Sequence, residues 1–345
     1  MSIKILSLDS GEHREILRRG FFAKAKYMKG RLLIVEGGSL LAVPMDPDRP
    51  DAKGQPVTVL EGIQRPFETV AVSDAGTLAY LPAVPSTARI VQVDRQDGTE
   101  ISWTIPGLST MNPIRLSPDG ERLAVNLEGA TGLKRDIGVY DLARGTLTQL
   151  SRTGQNRVPV WSPDGLHVAF QSNRDGVDGI FVMPADGTGD ARPVLLREAG
   201  RSRVSPRAWT PDGERIVYRE PTEGGADFWM VSREGGKPTP LLRSPFDEGR
   251  LGFSRNGRFI TFHSNESGQY QIYVQELPDG RKWPVTNDGG MWPAWIGKEI
   301  FYRRGDTVRV VVVETDPFRA SVPKALFERP NVLSYDVSAT ANVFF

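Results

Sequence analysis

Leu-Ser-Pro-Asp-Gly at residues 116–120 returns as Trp-Ser-Pro-Asp-Gly at 161–165, as Trp-Thr-Pro-Asp-Gly at 209–213 and as Phe-Ser-Arg-Asn-Gly at 253–257. Weaker copies flank these four. The apolar residue that leads the phrase forms a column of Tyr27, Val72, Leu116, Trp161, Trp209, Phe253, Trp295 and Val337, with spacings of 45, 44, 45, 48, 44, 42 and 42 residues. A period of this length marks a supersecondary unit that cannot bury its own apolar face and must stack on its neighbours. It suits a blade of four short antiparallel strands.

The copy around Trp161 shows the anatomy. Residues 157–162, 167–171, 179–183 and 192–196 read as four strands, each short, β-branched or aromatic, and bounded by Gly, Pro, Asp or Asn. Helical periodicity is nowhere sustained, and 36 glycines with 26 prolines suit many tight turns. Pro presets φ, Asp bonds its local backbone and Gly accepts positive φ, so Asp119, Asp164 and Asp212 read as turn-formers. Trp161, Trp209 and Trp295 read as packing between sheets. The fold class is therefore all-β: a closed β-propeller of four-stranded antiparallel blades, eight in number, with seven as the fallback.

The reading treats residues 1–345 as a single propeller domain. Its blades cover approximately 21–63, 66–107, 112–154, 156–198, 204–244, 248–287, 290–329, and 332–345 joined to 1–18. Residues 333–337 and 342–345 look like the inner half of a blade, and residues 3–8 and 13–17 like an outer half. Pairing the two ends in one composite blade would leave no open strand edge.

Composition narrows the function. Lys plus Arg number 43 against 42 for Asp plus Glu, so no global field attracts a nucleic acid. Cysteine is absent, which removes disulfides and thiol chemistry. No run approaches a membrane span, so no membrane insertion is expected, and residues 1–9 alternate like a strand rather than a secretory leader. The three histidines, His13, His167 and His263, form no metal-ligand pair. No cofactor is expected. Asp46, Asp48 and Asp51, and separately Asp175 and Asp178, put oxygen ligands close together as calcium favours, though each stretch reads more simply as a turn.

In a propeller, the loops that lead into the innermost strands crowd around the channel mouth. Here they contribute Arg65, Asn112, Arg157, Arg203, Glu248, Arg250 and Trp292 as candidate ligand-binding residues. Arginine with interleaved aromatics suits a protein, peptide or carbohydrate ligand on this loop face. The set contains no catalytic constellation, so the leading expectation is a non-enzymatic binding or sensing module. A hydrolase or lyase working at the channel mouth, or a purely structural ectodomain, are the alternatives.

The Trp-Ser-Pro-Asp-Gly turn, the Ser-Asn-Arg-Asp-Gly loop at 172–176 and the strand around Ile272-Tyr273-Val274 resemble the TolB-like, WD-repeat-like propellers of bacteria. Residues 38–46, 56–62 and 335–338 are similar to the propeller region at the extracytoplasmic end of bacterial transmembrane serine/threonine protein kinases. That resemblance implies a bacterial sensor or scaffold domain in a periplasmic or extracytoplasmic setting. The kinase motifs themselves are absent from this chain, as is the Gly-x-Ser-x-Gly elbow of the prolyl peptidases.

Overall fold

The computed structural model describes the chain except for residues 1, 7–10, 19–21, 37–38, 47–53, 62, 64–69, 74–77, 81–88, 110–112, 129–134, 199–202, 223–224, 331, 333 and 345. The described residues are strands and turns with a 3-10 turn at Arg174–Gly176, and no helix among them is long and apolar enough to cross a membrane. The chain forms two compact units, Met1–Thr87 with Ala130–Leu133, and Ala88–Gly129 with Lys134–Phe345.

In the first unit, Phe22–Met28, Arg31–Glu36, Ser39–Pro44 and Val57–Leu60 pair in that order as an antiparallel sheet. Alternation puts Leu33 and Val35 into one core with Leu40 and Ala42, and Leu32 and Ile34 into another with Val43 and Met45. Burial on both faces explains why Leu32 to Val35 is an unbroken apolar run. Ser2–Leu6 pairs with His13–Arg18, and Val70–Val72 with Leu78–Tyr80, each as a separate two-stranded sheet.

The second unit is a succession of sheets, numbered here in the order of their packing. Sheet I joins Glu100–Trp103, Ile90–Asp94 and Val343–Phe344. Sheet II holds Arg115–Leu116, Arg122–Glu128, Arg135–Asp141 and Thr146–Gln149; sheet III holds Asn156–Trp161, His167–Ser172, Asp178–Pro184 and Arg192–Arg197. Sheet IV follows with Ser205–Trp209, Arg215–Pro221, Ala226–Ser232 and Thr239–Leu242, and sheet V with Glu248–Phe253, Phe259–Ser264, Gln271–Glu276 and Lys282–Pro284. Sheet VI contains Met291–Ile296, Glu299–Arg304, Thr307–Thr315, Phe318–Ala320 and Lys324–Glu328.

Each sheet packs on the next. Ile90 of sheet I meets Leu116 and Val125 of sheet II; Ile137 of sheet II meets Phe170 of sheet III; Ile180 of sheet III meets Tyr218 of sheet IV. Phe228 of sheet IV meets Phe262 of sheet V, and Phe259 of sheet V meets Tyr302 of sheet VI. Phe301 of sheet VI lies edge-on to Phe344 of sheet I, ring centroids 5.3 Å apart. The phrase tryptophans bind these layers together. Trp161 donates its indole N–H to the carbonyl of Arg115 in the preceding sheet at 2.9 Å, and Trp209 donates to that of Val160 at 3.3 Å.

The turns follow their chemistry. The Ser162 hydroxyl donates to Asp164 Oδ1 at 2.5 Å, and the same oxygen accepts the Leu166 N–H at 2.9 Å. Ser162 Oγ accepts the His167 N–H at 2.9 Å, and Gly165 closes the turn at a φ of 68°. Thr210 and Asp212 repeat the arrangement, and the Asp164 and Asp212 carboxyls are both held below the ordinary range, Asp212 by its Thr210 bond and Asp164 by its Ser162 and backbone bonds against a desolvation cost.

One expectation is corrected. The C-terminal strand does not pair with the N-terminal ones: Val343 and Phe344 pair with Asp94 and Val93, while Ser2–Leu6 and His13–Arg18 pair with each other. The physical reason lies in what surrounds the C-terminal strand. Arg95 N–H donates to the Asn342 carbonyl at 2.8 Å, its guanidinium grips Glu299 of sheet VI at 2.7 and 2.9 Å, and Phe344 is buried against Phe301 and Phe327. Of the stretch read as one blade over residues 66–107, Val70–Val72 and Leu78–Tyr80 belong to the first unit and Ile90–Asp94 and Glu100–Trp103 to the second.

Candidate functional site

The innermost strands of sheets III to VI share a defect. Their pairing with the second strand slips between Arg157 and Val160, between Pro206 and Ala208, between Gly249 and Gly252, and between Met291 and Ala294. Each slip inserts one extra residue, a bulge that re-aims a side chain. In three sheets the residue three places before the column aromatic takes positive φ: Val158 at 53°, Arg250 at 26° and Trp292 at 59°. In sheet IV that place is Pro206, whose ring forbids positive φ, and the bulge moves on to Arg207.

The bulged residues of sheets IV to VI converge on a cavity of about 340 Å³ within the second unit. Arg207 and Arg219 of sheet IV line it beside Glu248, Gly249, Arg250, His263 and Tyr270, with Asp247 just before sheet V. Trp292 of sheet VI and Arg115 of sheet II complete the polar and aromatic lining, with Met291, Pro113 and Ser334. A branched or aromatic residue at positive φ is costly, and such strain gathers where a side chain is needed in a set direction.

Hydrogen bonds hold most of this wall. Asp247 accepts from Arg219 through Oδ1 and from the Tyr270 hydroxyl through Oδ2 at 2.6 Å. Arg219 Nε–H donates to the Glu248 carbonyl at 3.0 Å. Arg250 reaches the C-terminal segment, donating to the Tyr335 carbonyl at 2.7 Å and to Asp336 Oδ1 at 2.8 Å, its guanidinium 5.1 Å from the Tyr335 ring centroid. Tyr335 in turn donates its hydroxyl to the Trp292 carbonyl at 2.6 Å.

Two titratable groups are displaced in opposite senses by the same cause. Burial pushes the Glu248 carboxyl up to about 7; the Ser244 hydroxyl donates to Oε1, whereas Oε2 is buried without a hydrogen-bond partner. Burial pushes the His263 imidazole down to about 4, with Asp247 opposing the shift. His263 is therefore neutral, and its Nδ1 accepts the Trp292 backbone N–H at 3.2 Å.

Of the residues singled out from sequence, Glu248, Arg250 and Trp292 line one cavity. Arg157 and Arg203 do not line it; Arg203 is exposed, and Arg157 is pushed down to about 10 by burial and by the nearby charges of Arg135 and Arg203. Arg65 and Asn112 lie outside the described residues. Arg115, Arg207, Arg219, His263 and Tyr270 were not singled out as site residues. A signal for the first two was present: each is a cation inside an innermost strand, one or two places before the column residue, where other copies carry apolar residues, Val160, Ala208 and Ala294 at the first place and Ile114 and Leu251 at the second.

Among the described residues, no group of three or more His, Asp or Glu could hold a metal ion. Residues 47–51 of the first oxygen-rich stretch lie outside the described residues, and Asp178 of the second is half-buried in a strand.

Over 138 residues the chain is 28% identical to a protein TolB homolog of Chlorobium luteolum, taking in 40% of this chain and 30% of that protein. Over 205 residues it is 27% identical to the uncharacterized peptidase YuxL of Bacillus subtilis, covering 47% of this chain and 30% of that one. A solved structure assigned as TolB from Agrobacterium tumefaciens matches with a TM-score of 0.57 at 21% identity, over 74% of this chain and 95% of that chain. No family model matches. The chain thus spans under a third of the length of these two curated relatives, and the structural likeness shows the fold, a TolB-like β-propeller of four-stranded antiparallel sheets.

Proposed function

We propose that the second unit is a complete ring of six sheets and that the cavity at its centre binds a ligand, in a non-enzymatic binding or sensing role. The run of packed cores from sheet I to sheet VI and back to sheet I supports the ring. The observation that carries the binding role is that Arg250 and Trp292, on separate sheets, are both held at positive φ on bulges that turn them to one cavity. Strain of this kind persists only where the surroundings impose it, and a cavity of this size suits a small molecule or the end of a peptide. A protein, peptide or carbohydrate partner on this face remains the proposed ligand class.

The test is a thermal-shift screen of the full chain against short peptides, charged oligosaccharides and divalent metals, since a ligand that binds only the folded state raises its melting temperature. A shift that vanishes in Trp292→Ala supports the cavity; a shift that survives in it moves the site elsewhere. A second reading, a hydrolase or lyase, is favoured by one observation: a buried carboxyl displaced to about 7 is suited to give or take a proton near neutral pH. Turnover of a polysaccharide or peptide that is lost in Glu248→Gln would replace the binding role with that one. The likeness to kinase-borne propellers supports a sensing role within a larger assembly and nothing finer.

A further inference from the structure

The cavity contains more positive charge than its own acids neutralise. Arg219 is paired with Asp247, and Arg250 with Asp336. Arg115 and Arg207 are not paired: among the described residues, neither has a carboxylate within ion-pair reach. Arg115 gives one N–H to the Ile114 carbonyl at 3.0 Å, and the Nε of Arg207 is buried without a hydrogen-bond partner. Asp336 attracts Arg115, but its oxygens are already taken, Oδ1 by Arg250 and Oδ2 by the Leu116 N–H at 3.0 Å. Desolvation first, then repulsion from Arg250 and Arg207, pushes Arg115 down to about 9, and desolvation with repulsion from Arg219 and Arg250 pushes Arg207 down to about 10.

Unpaired, desolvated guanidinium groups facing a cavity are costly in the empty protein and strong in a complex. A guanidinium matches a planar carboxylate through two parallel N–H bonds. Asp247 on the same wall is an anion that repels a second negative charge, which disfavours a phosphate dianion. The Trp292 ring, backed by Arg303 with its guanidinium 5.2 Å from the centroid, and the Tyr270 ring offer apolar surface beside the cations.

We propose that this cavity is a carboxylate-binding site, in which Arg115 and Arg207 receive the anionic end of a small organic acid or of a peptide C-terminus while Trp292 and Tyr270 cover its apolar body. The inference rests on the cavity being the binding site and adds the chemistry of what enters it. Neutral Glu248 and neutral His263 are compatible with a single negative charge arriving between the arginines.

The experiment is calorimetric titration of the full chain with N-acetyl-phenylalanine, its carboxamide, phenyl phosphate, and Gly-Gly-Phe with a free or amidated C-terminus. The acids bind at least about tenfold more tightly than their amides, and Arg207→Gln weakens them by about tenfold or more. The melting temperature of the empty Arg207→Gln protein is equal to or above the parent's, because a repelled charge has been removed. If that variant fails to fold, Arg207→Lys keeps the charge, loses the fork and still weakens the acids. Tighter binding of Gly-Gly-Phe than of N-acetyl-phenylalanine identifies a peptide end, and the reverse a free acid. Equal binding of acids and amides overturns the carboxylate assignment and leaves the cavity reading standing, as does tighter binding of phenyl phosphate. Silence with every probe, amides included, removes both.

Discussion

The backbone N–H of Trp292 donates to Nδ1 of His263 across 3.2 Å, joining the bulge of sheet VI to the second strand of sheet V. The bond requires a neutral imidazole, and it fixes which nitrogen is the acceptor. Two groups of one wall thus depend on pH with opposite sign.

His263 has a folded pKa of about 4 against an ordinary 6.5, so its contribution to stability is present above about 6.5 and is lost as pH falls through about 4. Glu248 has a folded pKa of about 7 against 4.5, so its contribution is present below about 4.5 and is lost as pH rises through about 7. The two offset each other between pH 4.5 and 6.5. In Glu248→Gln, unfolding free energy rises across that window, where the parent is nearly flat. Denaturant titrations at a series of pH values check this, and a parallel course of parent and variant would refute it.

Gly249 is required by close approach rather than by its backbone angle. A Cβ there would stand 2.3 Å from His263 Nε2 and 2.5 Å from Cε1, and the ring is buried beneath it. Gly249→Ala costs about 2 kcal/mol, the order expected for overpacking. Gly252→Ala, three residues on, meets the Thr261 methyl at 3.4 Å and the Trp295 nitrogen at 3.5 Å, and costs less. Chemical denaturation of the two variants measures the difference.

Asp336 ties two sheets to the C-terminal segment, accepting from Leu116 of sheet II and from Arg250 of sheet V. Both members of its ion pair are largely buried, with side chains 13% and 16% exposed. Asp336→Ala leaves the Arg250 charge without its counter-charge and the Leu116 N–H without an acceptor, and costs about 3 kcal/mol. Ending the chain at Val332 removes this tie and the Val343–Phe344 strand together, and exposes the edge of Ile90–Asp94. Limited proteolysis should then cut the second unit before the first.

The turn aspartates act locally. Asp164→Ala removes the acceptor for the Ser162 hydroxyl and the Leu166 N–H in an exposed turn, and costs about 1 kcal/mol. Ligand binding in the cavity should not change. A loss of binding in this variant would show that the turn end of the sheet carries the function.

Local chemistry explains what could be read without coordinates. Strand, turn and period follow from residues within one repeat: Asp164 with Ser162 and Gly165 at positive φ need no distant partner. The phrase around Phe253 does the same with Asn256 in place of Asp, where Asn256 accepts from Ser254 at 2.8 Å. Part of the candidate site was legible too, because Glu248, Arg250 and Trp292 sit at the entrances of innermost strands, where a channel wall is built.

The remaining residues were hidden by distance. Arg115, Arg207 and His263 come from sheets II, IV and V, one to three repeats apart in the chain, and no local pattern says that their side chains share one space. The partner of the C-terminal strand was hidden for the same reason. Val343 and Phe344 carry an alternation that would satisfy any open edge, and Ile90–Asp94 and the N-terminal strands offer equally plausible ones. Backbone hydrogen bonds are alike at every edge. By itself the sequence therefore determined the repeating sheet and its turns, while the tertiary structure decided which edge the C-terminus completes, through the burial of Phe344 against Phe301 and the grip of Arg95 on Glu299. It also decided which arginines are left unpaired, since a guanidinium's partner is set by packing between sheets and not by its place in the repeat.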